Sequence, residues 1–153
     1  MIDAIAAFVR ALGLPMRFGA SAAEAVMAGV ALESGTLVVD RERVQPGDVL
    51  HEAAHLALLP AAERPAAHGR LDSAPAEEMA ALAWSYAAAV RLGIDANVVF
   101  HEHGYRGAGT SIAEAFARGG GPGVPLLVWL AMCEPSAFPV MRAWLNPGDR
   151  RIG

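Results

Sequence analysis

The sequence VLHEAAHLALL at residues 49–59 determines how the rest of this chain has to be organised. Eight of its eleven residues are apolar, and the polar ones are His51, Glu52 and His55. At about 100° per residue, a helix places the two histidines about 40° apart, with Glu52 on the same side. An otherwise apolar helix is predicted to be buried, so these polar groups must be satisfied together inside the fold. A divalent metal bound by two neutral imidazoles would satisfy them.

The spacing of these three residues is that of the HExxH motif. Two histidines four residues apart can bind one zinc ion, and the glutamate then lies beside the remaining coordination position. From there it can act as a general base on water. We therefore predict a Zn²⁺ site with His51 and His55 as ligands and Glu52 as the catalytic base. The alternative is a chance match in which both histidines are ordinary core residues.

The composition is that of a globular protein. The chain has 153 residues, of which 54% are hydrophobic and 18% charged, and we expect one domain spanning residues 1–153. The net charge is −4 and the twelve basic residues, all arginine, form no basic stripe, so no nucleic-acid partner is expected. Neither a membrane span nor a signal peptide is recognisable. The single cysteine, Cys133, is expected in the core, and the protein in the cytoplasm.

Secondary-structure signals place the histidine helix between a small sheet and a second long helix. Residues 28–41 contain two β-favouring runs around a Glu-Ser-Gly turn, which predicts an antiparallel hairpin with Gly35 at positive φ. Asp48 is predicted as the N-cap of the histidine helix. Pro75 is predicted to open the second helix, which ends near Leu92. This order favours a mainly helical, minimal zincin-like α+β fold with a small antiparallel sheet preceding the HExxH helix.

The first turn of the second helix offers candidates for a third metal ligand. Glu78 lies one turn before Leu82, within the apolar stripe, and so belongs on the inward side of the helix. Glu77 points about 100° away from it. Both acids also fit a simpler reading, because acidic residues are favoured in the first turn by the helix dipole. We predict Glu78 as the ligand, with Glu77 or a residue elsewhere as the alternatives.

Residues 98–107, which read VVFHEHGYRG, concentrate further side chains of catalytic type. If this segment is extended, His101 and His103 face one side and could reach a metal or a substrate. Tyr105 or Arg106 could stabilise an oxyanion. The alternative is a polar loop that leads into a glycine-rich turn. We take His103 and Tyr105 as candidate catalytic residues.

The remaining segments are predicted to be architectural. Residues 61–73 form a polar connector that could cross the site, with His68 either facing it or lying in a solvated loop. Helices are predicted at residues 111–118 and 139–145, and Trp129 is predicted to lie in the core.

The motif HEAAH, followed by EEMAALAWSYAAA at residues 77–89, resembles the ImmA/IrrE-type zincins. In that family a helix farther along the chain opens with a glutamate ligand and continues through alanines and an aromatic residue. A preceding β-hairpin is also typical, so the resemblance covers roughly residues 30–90. It implies a gluzincin-like set in which His51, His55 and Glu78 bind the metal and Glu52 is the catalytic base.

Two features differ from the family pattern. The family usually has an asparagine shortly after the glutamate, where this chain has Met79, Ala80 and Ala81. Its helix also tends to end in a Leu-Met-Pro-like segment, where residues 90–93 here read VRLG. Several members cleave repressor-like regulators, so the resemblance implies a zinc metallopeptidase with a regulatory peptide or protein substrate. A second hypothesis is a non-catalytic, metal-stabilised interaction module, which could be a homodimer.

Overall fold

The computed structural model describes residues 1–21, 23, 25–101 and 108–153 of the chain. Helices predominate in this part, and a small sheet precedes the histidine helix, so the predicted α+β class is confirmed. The elements are α1 (Ile2–Ala11), β1 (Met16–Phe18), β2 (Ala25–Met27), β3 (Val30–Glu33), β4 (Thr36–Val39), α2 (Pro46–Leu58), a 3₁₀ turn (Arg64–Ala66), α3 (Pro75–Leu92), α4 (Ala96–Val99), α5 (Gly109–Ala117) and α6 (Val124–Trp129).

The sheet has the strand order β1-β4-β3-β2. Strands β3 and β4 form the predicted hairpin, and its two turn residues, Ser34 and Gly35, have φ angles of 46° and 81°. Positive φ at both turn positions is typical of the tight turns that match the strand twist. The sheet is mixed and not purely antiparallel, because β1 pairs in parallel with β4. This pairing brings together segments distant in sequence, which local patterns do not reveal.

Helices α2 and α3 form the centre of the molecule. Every residue of α2 from Gly47 to Leu58 is buried, as the apolar sequence predicted. The facing side of α3 is rich in alanine, whose small side chain allows close approach of the two helices. The predicted bounds of α3 are confirmed, and Gly93 ends the helix in the left-handed conformation with φ 67°.

The predicted N-cap of α2 is wrong. Gln45 occupies that position and Pro46 opens the helix, where its fixed φ is already helical. Asp48 instead lies inside the first turn, where it is buried and 3% exposed.

The C-terminal part corrects two expectations. Residues 139–145 form turns, and Met141 forms an isolated bridge with Cys133. They form no helix, because the backbone N–H groups of Arg142 and Ala143 both donate to the carbonyl of Met132. Cys133 is buried, as predicted. Trp129 is 46% exposed, although it was predicted in the core. Leu127 of the same short helix is buried in the core, and a residue two positions later points about 200° away, toward the opposite side of the helix. No helix in the described parts of the chain is long and apolar enough to cross a membrane.

Candidate metal centre

Helix α2 brings the two histidines of the motif together. His51 and His55 lie one turn apart, their rings meet edge to face, and their Nε2 atoms are 3.2 Å from each other. Glu52 joins them: a ligand atom of each of the three side chains lies within 4.8 Å of the others. All three residues are buried. This buried His-Glu-His group is therefore close enough to bind a metal ion.

Glu78 reaches the same point from helix α3. One carboxylate oxygen lies 3.3 Å from Nε2 of His51, and the other lies 3.3 Å from Nε2 of His55. The structure thus brings together the three side chains predicted as ligands. His51, Glu52 and His55 are close together in the sequence. Glu78 is distant from them in the sequence, but its carboxylate oxygens contact both imidazoles directly.

The distances among these donor atoms can be compared with those around a tetrahedral ion. With bonds of about 2.0–2.1 Å to nitrogen and oxygen, ligand atoms around zinc are separated by about 3.3–3.4 Å. The observed separations of 3.2 and 3.3 Å between the two Nε2 atoms and the Glu78 oxygens agree with this spacing. Two imidazoles and one carboxylate are also a donor set that suits zinc. The residues present therefore fit a bound zinc ion.

The charges of the cluster are strongly coupled. Burial lowers the pKa of His55, but hydrogen bonds to Glu77 and Glu78 outweigh burial and raise that pKa to about 9. Hydrogen bonds to His51 and His55 hold the pKa of the Glu78 carboxyl well below its usual range. Without a metal, the site therefore pairs a protonated His55 with an ionised Glu78. A metal ion would replace that proton.

Burial acts differently on Glu52. It raises the pKa of this carboxyl, and the neighbouring imidazoles counteract only part of the effect. A carboxylate with a raised pKa is a better proton acceptor than an exposed one, which is the property required of a general base near neutral pH.

Glu77 also lies at the site, although helical periodicity directs it about 100° away from Glu78. Its Oε1 atom lies 3.4 Å from Nδ1 of His55, and its side chain is 16% exposed against 46% for Glu78. Ser73 Oγ also lies 3.4 Å from the same nitrogen. The ring of His55 offers nitrogen atoms on two sides, so both successive glutamates of α3 can reach it.

No protein-family model matches this chain, and neither curated proteins nor solved structures gave a match. The chemistry of the site has to follow from its own residues and their surroundings.

The side chains of His51, Glu52, His55 and Glu78 line a cavity of about 300 Å³. Val26 and Met27 of β2 line one side, and the end of the 61–73 connector lines another, through Arg70, Leu71, Asp72 and Ser73. The connector thus reaches the site. His68 does not, because its Nδ1 accepts a hydrogen bond from the backbone N–H of Ser34 in the hairpin turn.

The second group of predicted catalytic residues is described only at its beginning. His103, Tyr105 and Arg106 lie outside the described residues. His101 follows the short helix α4 instead of lying in an extended strand, and its Nε2 atom is 2.7 Å from Oδ1 of Asp48. This contact was not predicted, although a lone acid in the first turn of a buried helix is a signal that a partner is needed.

Proposed function

We propose that this protein is a zinc-dependent metallopeptidase whose metal is held by His51, His55 and Glu78. The main support for the proposal is that the Nε2 atoms of His51 and His55 lie 3.2 Å apart and that each lies 3.3 Å from a different oxygen of the Glu78 carboxylate. Three protein ligands leave a fourth position open, which is typical of catalytic zinc sites, whereas structural sites are closed by four. The resemblance of residues 30–90 to ImmA/IrrE-type zincins supports the same assignment.

Bound zinc would supply an activated water and polarise the carbonyl of the amide to be cleaved. Glu52 is our candidate for the proton transfers of this reaction, because it follows His51 directly on α2 and lies within the same cluster. Its carboxylate accepts a proton from the attacking water and then donates it to the nitrogen of the leaving amine. Burial raises the pKa of Glu52, which favours the first of these transfers, the acceptance of a proton from water.

The cavity supports an extended peptide as the substrate. Strand β2 lies at the end of the sheet order, so one side of its backbone is not paired with another described strand. Its residues Val26 and Met27 line the same cavity as the side chains of the proposed metal site. A peptide that added to this edge by main-chain hydrogen bonds would pass beside Glu52. The substrate would accordingly be a peptide or an unfolded segment of a protein, such as the regulators cleaved by several ImmA/IrrE-type zincins.

The variant Glu52→Gln separates catalysis from metal binding. Zinc-loaded wild type and variants are incubated with a proteome-derived peptide library, and new termini are counted by mass spectrometry. We expect Glu52→Gln to keep its zinc and to lose at least about 100-fold in cleavage rate, the usual contribution of a general base. His55→Ala should lose both zinc and cleavage. Glu114→Gln, a change at an exposed position on α5, is the matched control and should behave as wild type.

Two results would contradict the proposal. One is a Glu52→Gln variant that cleaves at the wild-type rate. The other is a zinc-loaded wild type that cleaves no peptide, which would instead favour a metal-stabilised interaction module.

A further inference from the structure

The ring of His55 is held from both sides by successive residues of one helix. On one side, its Nε2 atom lies 3.3 Å from Oε1 of Glu78 and 3.2 Å from Nε2 of His51. On the other side, its Nδ1 atom lies 3.4 Å from the carboxylate of Glu77. The side chains of His55 and Glu77 are only 5% and 16% exposed, so water competes little for this second contact.

The position of the proton on this ring decides whether it can bind a metal. A neutral imidazole carries a proton on one nitrogen and a lone pair on the other. For Nε2 to face the metal with its lone pair, Nδ1 must carry the proton and donate it to an acceptor. A carboxylate is the stronger of the acceptors present, since a hydrogen bond to an ionised group is about twice as strong as one to a neutral hydroxyl such as that of Ser73.

We propose that Glu77 is a positioning residue of the metal centre: it accepts a hydrogen bond from Nδ1–H of His55 and directs Nε2 toward Glu78 and His51. The two adjacent glutamates therefore have different tasks, one as ligand and one as the support of a ligand. This inference rests on the proposed metal site. It assigns a supporting role to a residue that the sequence offered only as an alternative ligand.

Zinc affinity, measured by competition with a chromogenic chelator, tests the proposal. Removal of an outer carboxylate from a metal-bound histidine typically weakens metal binding by about 10- to 100-fold. We expect a loss in this range for Glu77→Ala and a smaller loss for Glu77→Gln, whose neutral side chain still offers an oxygen. Asp72→Asn is the matched control: it removes one negative charge from the same cavity, and we expect less than about a threefold change because a screened surface charge contributes little.

A second readout reports the hydrogen bond itself. In the zinc-loaded protein, the Nδ1 proton of His55 should give a downfield NMR signal that exchanges slowly with water. This signal should shift upfield and exchange faster in both Glu77 variants and stay unchanged in Asp72→Asn. Because Glu77→Gln conserves the size of the side chain, it provides the comparison even if Glu77→Ala does not fold.

The outcomes are distinguishable. A wild type that binds no zinc would overturn the proposed function and this inference with it. A wild type that binds zinc, together with wild-type affinity and an unchanged Nδ1 signal in Glu77→Gln, would overturn this inference alone. Equal losses in Asp72→Asn and Glu77→Gln would also overturn it, because general electrostatics would then account for the effect.

Discussion

The protonated His55 of the metal-free site makes the stability of the protein depend on pH. Hydrogen bonds to Glu77 and Glu78 outweigh burial and raise the pKa of His55 from its ordinary 6.5 to about 9. The stabilisation that protonated His55 gains from Glu77 and Glu78 is fully present below pH 6.5, where His55 would be protonated in the unfolded chain as well. This stabilisation is lost as the pH rises through 9. At 1.36 kcal/mol for each pKa unit, this difference sets an upper limit of about 3 kcal/mol.

Urea unfolding of chelator-treated protein at pH 6.5, 7.5 and 9 measures the effect. We expect the free energy of unfolding of the wild type to fall by up to about 3 kcal/mol more than that of His55→Asn over this range. His68→Asn, at an exposed histidine, should follow the wild type. Excess zinc should reverse the trend, because zinc competes with the proton and its affinity should rise about tenfold per pH unit below 9. Identical pH dependence in the wild type and His55→Asn would show that His55 does not cause the loss of stability.

Two further predictions concern the support of helix α2. Gly47→Ala would place a Cβ atom 2.2 Å from the carbonyl oxygen of Val98, and we expect a net loss of about 2 kcal/mol in the free energy of unfolding. Gly120→Ala, with no atom near its added Cβ, should change little, and an equally stable Gly47→Ala would contradict the packing described. His101→Ala should cost about 2–3 kcal/mol in urea unfolding, because the buried carboxylate of Asp48 loses its partner; a loss below about 0.5 kcal/mol would show that this contact contributes little.

Local patterns were sufficient for helices α2 and α3 and for the hairpin. An apolar run interrupted only by His51, Glu52 and His55 predicted a buried helix, and Pro75 and Gly93 marked the ends of α3 correctly. These signals depend on neighbours in sequence, so they can be read without knowing the fold. The parallel pairing of β1 with β4 depends on a long-range contact and left no such signal.

The errors in the site have the same origin. Helical periodicity gives the direction of a side chain at its Cα atom, but the carboxylate at the end of the Glu77 side chain lies 3.4 Å from Nδ1 of His55. The partner of Asp48 could not be predicted either, because His101 lies on a distant segment. Trp129 was predicted in the core because residues 125–133 are strongly apolar, whereas the structure packs it beside Arg150 at the surface.

Metal content tests most directly whether His51, His55 and Glu78 hold a divalent metal. Untagged wild type, His55→Ala and Glu78→Ala are purified without chelator, incubated with excess zinc and dialysed, and their metal is measured by plasma mass spectrometry. We expect about one zinc per wild-type chain and its loss in both variants. A wild type that retains no zinc would contradict this expectation.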